Sequence, residues 1–232
     1  MTVLLLRLLT GVSGFKWKLN TACIKLQLPE FPELLRRFLY DQLYPNAHFP
    51  SAHVSINACP VFTGKISVFP CASATFRAPS DPSGPRSMRR EYIRAAPTWR
   101  NGYARYDCVF VNSRPELSGM RGLTVARVFL FFSFVHRDMK HTCALVQWYS
   151  IIGTTPDDET GLWMVEPDVH NDGRPYLAVI PLGSIIRAAH LLPVYRTNNF
   201  IRRLLTMHDT LDKFKVFYVN KFVDHHAFEI AS

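Results

Sequence analysis

The chain has 232 residues, enough for one large domain or for a small domain with an appendage. Its content of 48 % hydrophobic and 13 % aromatic residues excludes a wholly disordered protein. The formal charge of +9 is uneven: residues 1–105 hold 14 Lys and Arg against 5 Asp and Glu, while residues 106–232 hold 13 of each, so the excess suggests a polyanionic partner for the first half.

Met1 to Trp17 opens with seven Val and Leu between Val3 and Val12. Arg7 interrupts the run, no basic segment precedes it, and it is too short to span a membrane, so neither a signal peptide nor an anchor is expected. Leu34, Leu35, Phe38, Leu39 and Leu43 then fall on one helical face. Pro32 and Glu33 suit the first turn and Pro45 the end, with Arg36, Arg37 and Asp41 on the polar side. Tyr44 to Pro60 reads as loop. Gly64 to Ala78 alternates like a strand, but Pro70 makes it an edge strand or two short ones. Pro79 to Pro85 can only be turn or loop. Ser87 is placed to cap a short helix through Arg89, Arg90, Glu91 and Arg94. In that helix the three arginines share roughly one side and Tyr92 turns elsewhere. Pro97 to Arg105 is loop, and Tyr106 to Val111 a strand.

The centre is a hairpin, Val128–Val135 and Cys143–Tyr149, across Arg137 to Lys140. Alternation puts Val128, Leu130, Phe132 and Phe134 on one face and Phe129, Phe131 and Val135 on the other, so the strand should be covered on both sides. Gly153 to Gly161 is an acidic loop. Leu162–Glu166 and Tyr176–Leu182 make a further hairpin pattern across Asp168 to Gly173. Ser184 to Ala189 is expected to turn briefly helical. A last helix starts near Asp209, with Leu211, Phe214, Tyr218 and Phe222 on one face. The fold class expected is α+β, mainly β: a small, partly open β-barrel with an N-terminal helix and arm and a C-terminal helix. By residue, 1–27 form a poorly defined segment, 28–102 a basic unit of helix, edge strands and Arg-rich arm, and 103–232 the barrel-like module.

Five cysteines at irregular spacing, with no CxxC, point to free thiols in a reducing, intracellular compartment rather than to disulfides or structural zinc. The strongest chemical grouping is Arg86, Arg89, Arg90, Arg94, Arg100 and Arg105, interleaved with Tyr92, Trp99 and Tyr103. Guanidinium groups release counterions on meeting phosphates, and aromatic faces stack on unpaired bases. The same arginines could instead pair with the acids of the second half. The acids Asp157, Asp158, Glu159, Glu166, Asp168 and Asp172 lack calcium-loop spacing and read as solvated turns. Adjacent His225 and His226, near Asp224 and Glu229, point in different directions on a helix and do not suit a metal. Ser80 to Gly84 has neither a nucleophile elbow nor a phosphate-loop lysine. Trp148, Tyr149 and Trp163 could line a cage for a methylated lysine, although aromatic core is the more frequent use.

The phrases ATFRAPSDPSG, MRREYIRAAPTWRNGYARYDCVFVN, GLTVARVFLFFSF, CALVQWYS, TGLWMVEPD, IIRAAHLLPVY and LDKFKVFYVNKFVDHHAFEIA occur in order between Leu28 and Ala231. In these phrases the chain resembles the C-terminal region of transposases from fungal Plavaka-type DNA transposons, relatives of the CACTA group. That resemblance implies a catalytic RNase H-like domain with an acidic triad upstream; no position here matches the triad, and Met1 to Trp17 is expected to be a fortuitous start. ARVFLFFSF and CALVQWYS also resemble the barrel of bromo-adjacent homology modules, by analogy only. The expected function is therefore that of a non-catalytic transposase fragment in the nucleus. It would contact DNA phosphates non-specifically through Arg86, Arg89, Arg90, Arg94, Trp99, Arg100 and Arg105, and a protein or chromatin partner through the β module. The alternative is a purely structural or interaction module. No cofactor, metal, small-molecule substrate or membrane is expected.

Overall fold

The computed structural model describes residues 5–8, 15–78, 88–100, 102–195, 206 and 208–232; the turn expected over 79–85 and Arg86 lie outside them. Two short strands, β1 (Leu5–Leu8) and β2 (Phe15–Lys18), come before helices α1 (Leu19–Leu26) and α2 (Phe31–Leu43). Pro32 sits in the first turn of α2, where its missing N–H costs nothing, and Glu33 lies beside the positive helix end. Phe31, Leu35, Phe38 and Leu39 are buried on the inner side. On the outer side Arg36 donates to the carbonyls of Ile56 and Cys59, and Arg37 to that of Ser51. Asp41 accepts from the N–H and hydroxyl of Ser51. Two of the first half's cations therefore hold the loop after α2 in place.

Pro70 divides the next stretch into β3 (Lys65–Phe69) and β4 (Cys71–Arg77), and its carbonyl accepts from Ala95 N–H. Then come β5 (Met88–Ala96), β6 (Arg105–Tyr106) and β7 (Cys108–Asn112). The central hairpin is longer than its apolar runs: β8 (Leu123–His136) and β9 (Met139–Ile152) turn on Arg137 and Asp138, at φ 49° and 62°. Two consecutive left-handed residues match the twist of the flanking strands. The rest of the chain supplies β10 (Met164–Pro167), β11 (Leu177–Pro181), β12 (Ile185–Ala189) and β13 (Leu191–Pro193). After these come the single turn α3 (Thr210–Lys213), β14 (Phe217–Val219) and α4 (His225–Ala231).

A ten-stranded sheet follows the path β12-β7-β8-β9-β10-β14-β13, with β3 and β2 added beside β8 and β11 beside β9. One edge of β8 pairs with β7 through Leu123–Arg127 and with β3 through Phe131–Phe134. The first and last strands of the path, β12 and β13, are separated in sequence by His190 alone, so the sheet curls until its two ends meet in one bent stretch of chain. Cys108, Phe110, Leu123, Val125, Tyr149, Val165, Ala189, Phe217 and Val219, from β7, β8, β9, β10, β12 and β14, fill the interior of that curl. A second sheet, β1-β4-β5-β6, lays Ala72, Ala74, Ile93 and Ala95 over Val109, Val111, Ala126, Val128 and Phe131. The helices cover a third apolar centre around Leu130, Phe132, Phe134, Cys143 and Leu145.

A bulge at Phe129 shifts the register between Val128 and Leu130 and corrects the expected faces. Val128 pairs with Val146 and lies under the small sheet with Phe131, whereas Leu130 pairs with Leu145 and faces the helices with Phe132 and Phe134. The extra residue inverts the alternation, which a reading at strict period two cannot anticipate.

Three further expectations are overturned. β10 and β11 do not pair with each other; both run antiparallel to β9, at Tyr149–Ile152 and Cys143–Gln147, as one interrupted strand. The excursion between them closes through the Val169–Pro175 bridge. Ser184 to Ala189 is strand β12 after one 3-10 turn at Leu182–Ser184; Ile185, Arg187 and Ala189 are buried, and a bulge between Ile185 and Arg187 turns Ile185 to the small-sheet core while Ala189 enters the curl. The long helix from Asp209 is the short α3, then β14, then a 3-10 turn at Lys221–Val223 and α4. Leu211, Phe214, Tyr218 and Phe222 fit a helical spacing, but burial of Phe217 and Val219 on either side of Tyr218 selects a strand.

Candidate nucleic-acid interface

The segment expected as a helix is, from Met88 to Arg94, part of β5, with the expected Ser87 cap outside the described residues, and this changes which side chains act together. β5 pairs with β4 along its length, Cys71 opposite Arg94, Ser73 opposite Tyr92, Thr75 opposite Arg90 and Arg77 opposite Met88. Directly opposed residues share a face, and alternate residues along a strand do too. One row therefore carries Arg90, Tyr92 and Arg94, and Ile93 and Ala95 point the other way into the core. β1 pairs Arg7 with Ser73 and β6 pairs Arg105 with Ala96, so both arginines join the outward face. That face presents Arg7, Arg77, Arg90, Arg94 and Arg105, with Tyr92 46 % exposed among them. Arg89 does not share it: it lies opposite Phe76 on the inner row, and its charge helps hold the Asp224 carboxyl down.

After β5 the chain folds into a turn in which Gly102 N–H donates to the Trp99 carbonyl and Trp99 N–H to that of Tyr103. The turn brings three guanidinium groups around the Trp99 ring, Arg94 at 4.4 Å from its centroid, Arg100 at 5.6 Å and Arg105 at 5.9 Å. Asp107 fixes one of them and the strand beside it: its carboxylate accepts from Arg105 Nε at 2.9 Å and from the backbone N–H of Arg94 at 2.9 Å. Beside this group opens a cleft of about 530 Å³ lined by Trp99, Arg100, Tyr103, Arg105, Arg127 and His208. Tyr103 stacks on His208 at 4.6 Å. Arg127 is almost fully buried and paired through both guanidinium nitrogens with Asp212.

Of the residues expected to meet DNA, Arg90, Arg94, Trp99, Arg100 and Arg105 are thus brought to one side of the molecule, Arg89 faces away, and Arg86 lies outside the described residues. Arg7 and Arg77 were not foreseen as part of the face. They reach it through cross-strand pairing with residues distant in sequence, and no local spacing signals that.

The inner row carries a different chemistry. Arg187 of β12, 3 % exposed, donates to both oxygens of Asp224 at 2.7 Å and to Glu91 Oε2 at 3.1 Å. Glu91 Oε1 accepts from Ala188 N–H, and Asp224 caps α4 through Ala227 N–H. Phe76 lies 4.5 Å under the guanidinium and stacks on His226. Burial raises Glu91 above the usual carboxylate range, and Arg187 only partly opposes it. Asp224 is pushed up by burial too, but hydrogen bonds from Arg187 and Ala227 N–H overcome this and hold it at about 2. Asp224 and His226 therefore belong to a clamp that fastens α4 to both sheets.

Among the described residues no group of three His, Cys, Asp or Glu converges as a metal site, and no helix is long and apolar enough to cross a membrane. Asp157 accepts from Thr160 N–H and hydroxyl, and Asp172 from Arg174, so these acids shape their own turns. The three aromatics do not form a cage: Tyr149 and Trp163 point into the curled sheet, while Trp148 packs on the opposite face under the small sheet. No family model, curated protein or solved structure matches the chain.

Proposed function

We propose that the protein is a non-catalytic module that contacts DNA through the outward face of the small sheet. Its descent would be from the C-terminal region of a Plavaka-type transposase, its place of action the nucleus. The observation that carries this reading is the row Arg90–Tyr92–Arg94, extended by Arg7, Arg77 and Arg105, with Asp107 as its one described carboxylate. Arg90 and Arg100 have no ion pair among the described residues, so their charge is available to phosphates. The Trp99 ring is taken up by three guanidinium groups, whereas Tyr92 has only that of Arg94, at 5.9 Å, and is 46 % exposed, which leaves ring surface on which an unpaired base can stack. The ordered run of transposase-like phrases supports the descent, and the acids engaged in their own turns fit a module without hydrolytic chemistry.

Fluorescence anisotropy against single-stranded and duplex DNA at several salt concentrations tests the proposal. Arg90→Ala with Arg94→Ala should weaken binding to every sequence alike. It should flatten the log–log salt slope by about 0.7 per lost contact on single strands and about 0.9 on duplex. An unchanged slope with a lowered melting temperature would mean that these arginines serve the fold. A second reading, a protein- or chromatin-contact module, has its own support. Phe222, Val223 and Phe228 are 61 %, 46 % and 45 % exposed side by side, with Lys221 Nζ over both rings. Loss of a protein partner on Phe222→Ser with Phe228→Ser, at unchanged DNA affinity, would assign that role to the α4 end.

A further inference from the structure

The small sheet covers only part of the face of the large sheet on which it lies. Phe69, Phe131 and Ala144 belong to the covered apolar part. One step further along the same strands, on the same face, the register aligns Lys16, Ser67, Ser133 and Thr142 across β2, β3, β8 and β9. In the next row Lys18 lies opposite Lys65, and Val135 opposite Lys140. The core thus gives way to a strip of lysines and hydroxyls four strands wide, roughly 14 Å at ~4.8 Å per strand. Lys16, Lys65, Ser67, Ser133 and Lys140 line a groove of about 590 Å³, and no acidic residue is among its described walls.

Two features distinguish this groove from an ordinary solvated surface. Ser133 lines the groove although the residue as a whole is only 6 % exposed, and among the described residues its hydroxyl makes no hydrogen bond to the protein. None of the three lysines is in an ion pair within the described residues either. The groove thus gathers ammonium groups and hydroxyls with no carboxylate among its described walls. What completes them is an oxyanion: ammonium groups and hydroxyls together surround phosphate oxygens, as in any backbone contact to a polynucleotide.

We infer that the groove is a second binding site for the phosphodiester backbone, occupied by the same DNA that lies on the arginine face. This rests on the proposed function. β3 leads from Phe69 in the groove through Pro70 to Cys71, which lies opposite Arg94 on the arginine face. Ser67 and Cys71 are four residues apart, about 13 Å along an extended chain. Both faces open to the same side, since the small sheet rests on the face that carries the groove. A strand a few nucleotides long reaches one site, and a longer one reaches both.

The experiment compares a short oligonucleotide of about six nucleotides with one of about twenty. The proteins are wild type, the Lys16→Gln, Lys65→Gln, Lys140→Gln triple variant, and the Arg90→Ala, Arg94→Ala variant. All three lysines are exposed, so the triple variant should melt as wild type does. Under the inference it loses affinity for the long strand at least tenfold, with a salt slope lower by about 2 at ~0.7 per phosphate contact, and keeps most of its affinity for the short one. Ser133→Ala should weaken the long strand further in the wild-type background. Equal binding of the long strand by the triple variant and wild type overturns the inference and leaves the arginine face untouched. Loss in the triple variant with none in the arginine variant overturns the arginine reading and leaves the groove as the site. If the lysine changes abolish binding of an acidic peptide of similar charge and leave DNA unaffected, the occupant is a protein and the inference is wrong.

Discussion

Arg187 shows how one buried cation sets opposite fates for its two acids. Each acid accepts one backbone N–H, but only one oxygen of Glu91 meets the guanidinium, whereas Asp224 takes a two-point contact. Asp224 is depressed in the fold, so its stabilisation is complete above the unfolded carboxylate range and is lost as pH falls from about 4 toward 2. Glu91 is raised, so its ionisation opposes folding as pH climbs through its folded value. Asp224→Asn should cost on the order of 3 kcal/mol at pH 7 and remove most of the acid limb between pH 4 and 2, read by urea unfolding at each pH. Glu91→Gln should cost less, because it relieves a desolvated charge while keeping an acceptor for Ala188 N–H. An acid limb of unchanged depth in Asp224→Asn would mean that other carboxylates govern acid unfolding. On the outward face Tyr92→Ala should weaken single-stranded DNA binding by about 1–3 kcal/mol and duplex binding by less, with the melting temperature unchanged. Equal losses on both substrates would remove base stacking from the interface.

Among the elements, those that declared themselves in sequence were the ones with a strong local signal. The long apolar runs of β8 and β9, the proline-bounded α2 and the break at Pro70 were legible because each needs only its own residues to be recognised. β5 was not. Its stretch MRREYIRAA mixes charged residues and alanines that suit a helix, and only pairing with β4 along seven residues makes it a strand. The candidate site was legible to the same extent: its arginines and aromatics could be named, but their grouping depends on cross-strand register, which put Tyr92 into the row and took Arg89 out. Phe132, fully buried between Phe31 at 5.1 Å and Phe134 at 6.0 Å, should cost about 3–5 kcal/mol as Phe132→Ala. Trp148 is partly exposed, so Trp148→Ala should cost less than Phe132→Ala; thermal or urea unfolding of the pair ranks them. The turn at Arg137 and Asp138 places two ordinary residues in the left-handed region. Arg137→Asn with Asp138→Gly should therefore stabilise the protein by about 1 kcal/mol, and a lower melting temperature would show that the native side chains are needed there.

For the molecule as a whole, β8 is the common member. Leu123 and Val125 face the interior of the curl, Ala126, Val128 and Phe131 the small sheet, and Leu130, Phe132 and Phe134 the helices. No apolar centre can be lost without exposing part of that strand, so calorimetry should show one transition. Ile93→Ala and Phe217→Ala should each move it downward rather than split it, and two resolved peaks would contradict the shared strand. The bend at His190 has a consequence of another kind. A sheet ordinarily ends in a strand whose free amides and carbonyls can recruit a strand from a neighbouring molecule, the route by which β proteins aggregate. Here the two terminal strands of the path are one stretch of chain. The Ala188 N–H is held by Glu91, and the His190 carbonyl accepts from Asn220 N–H. A second copy meeting this seam finds no continuous ladder to extend, so the same bend that shapes the core also closes this edge of the large sheet to templated self-association.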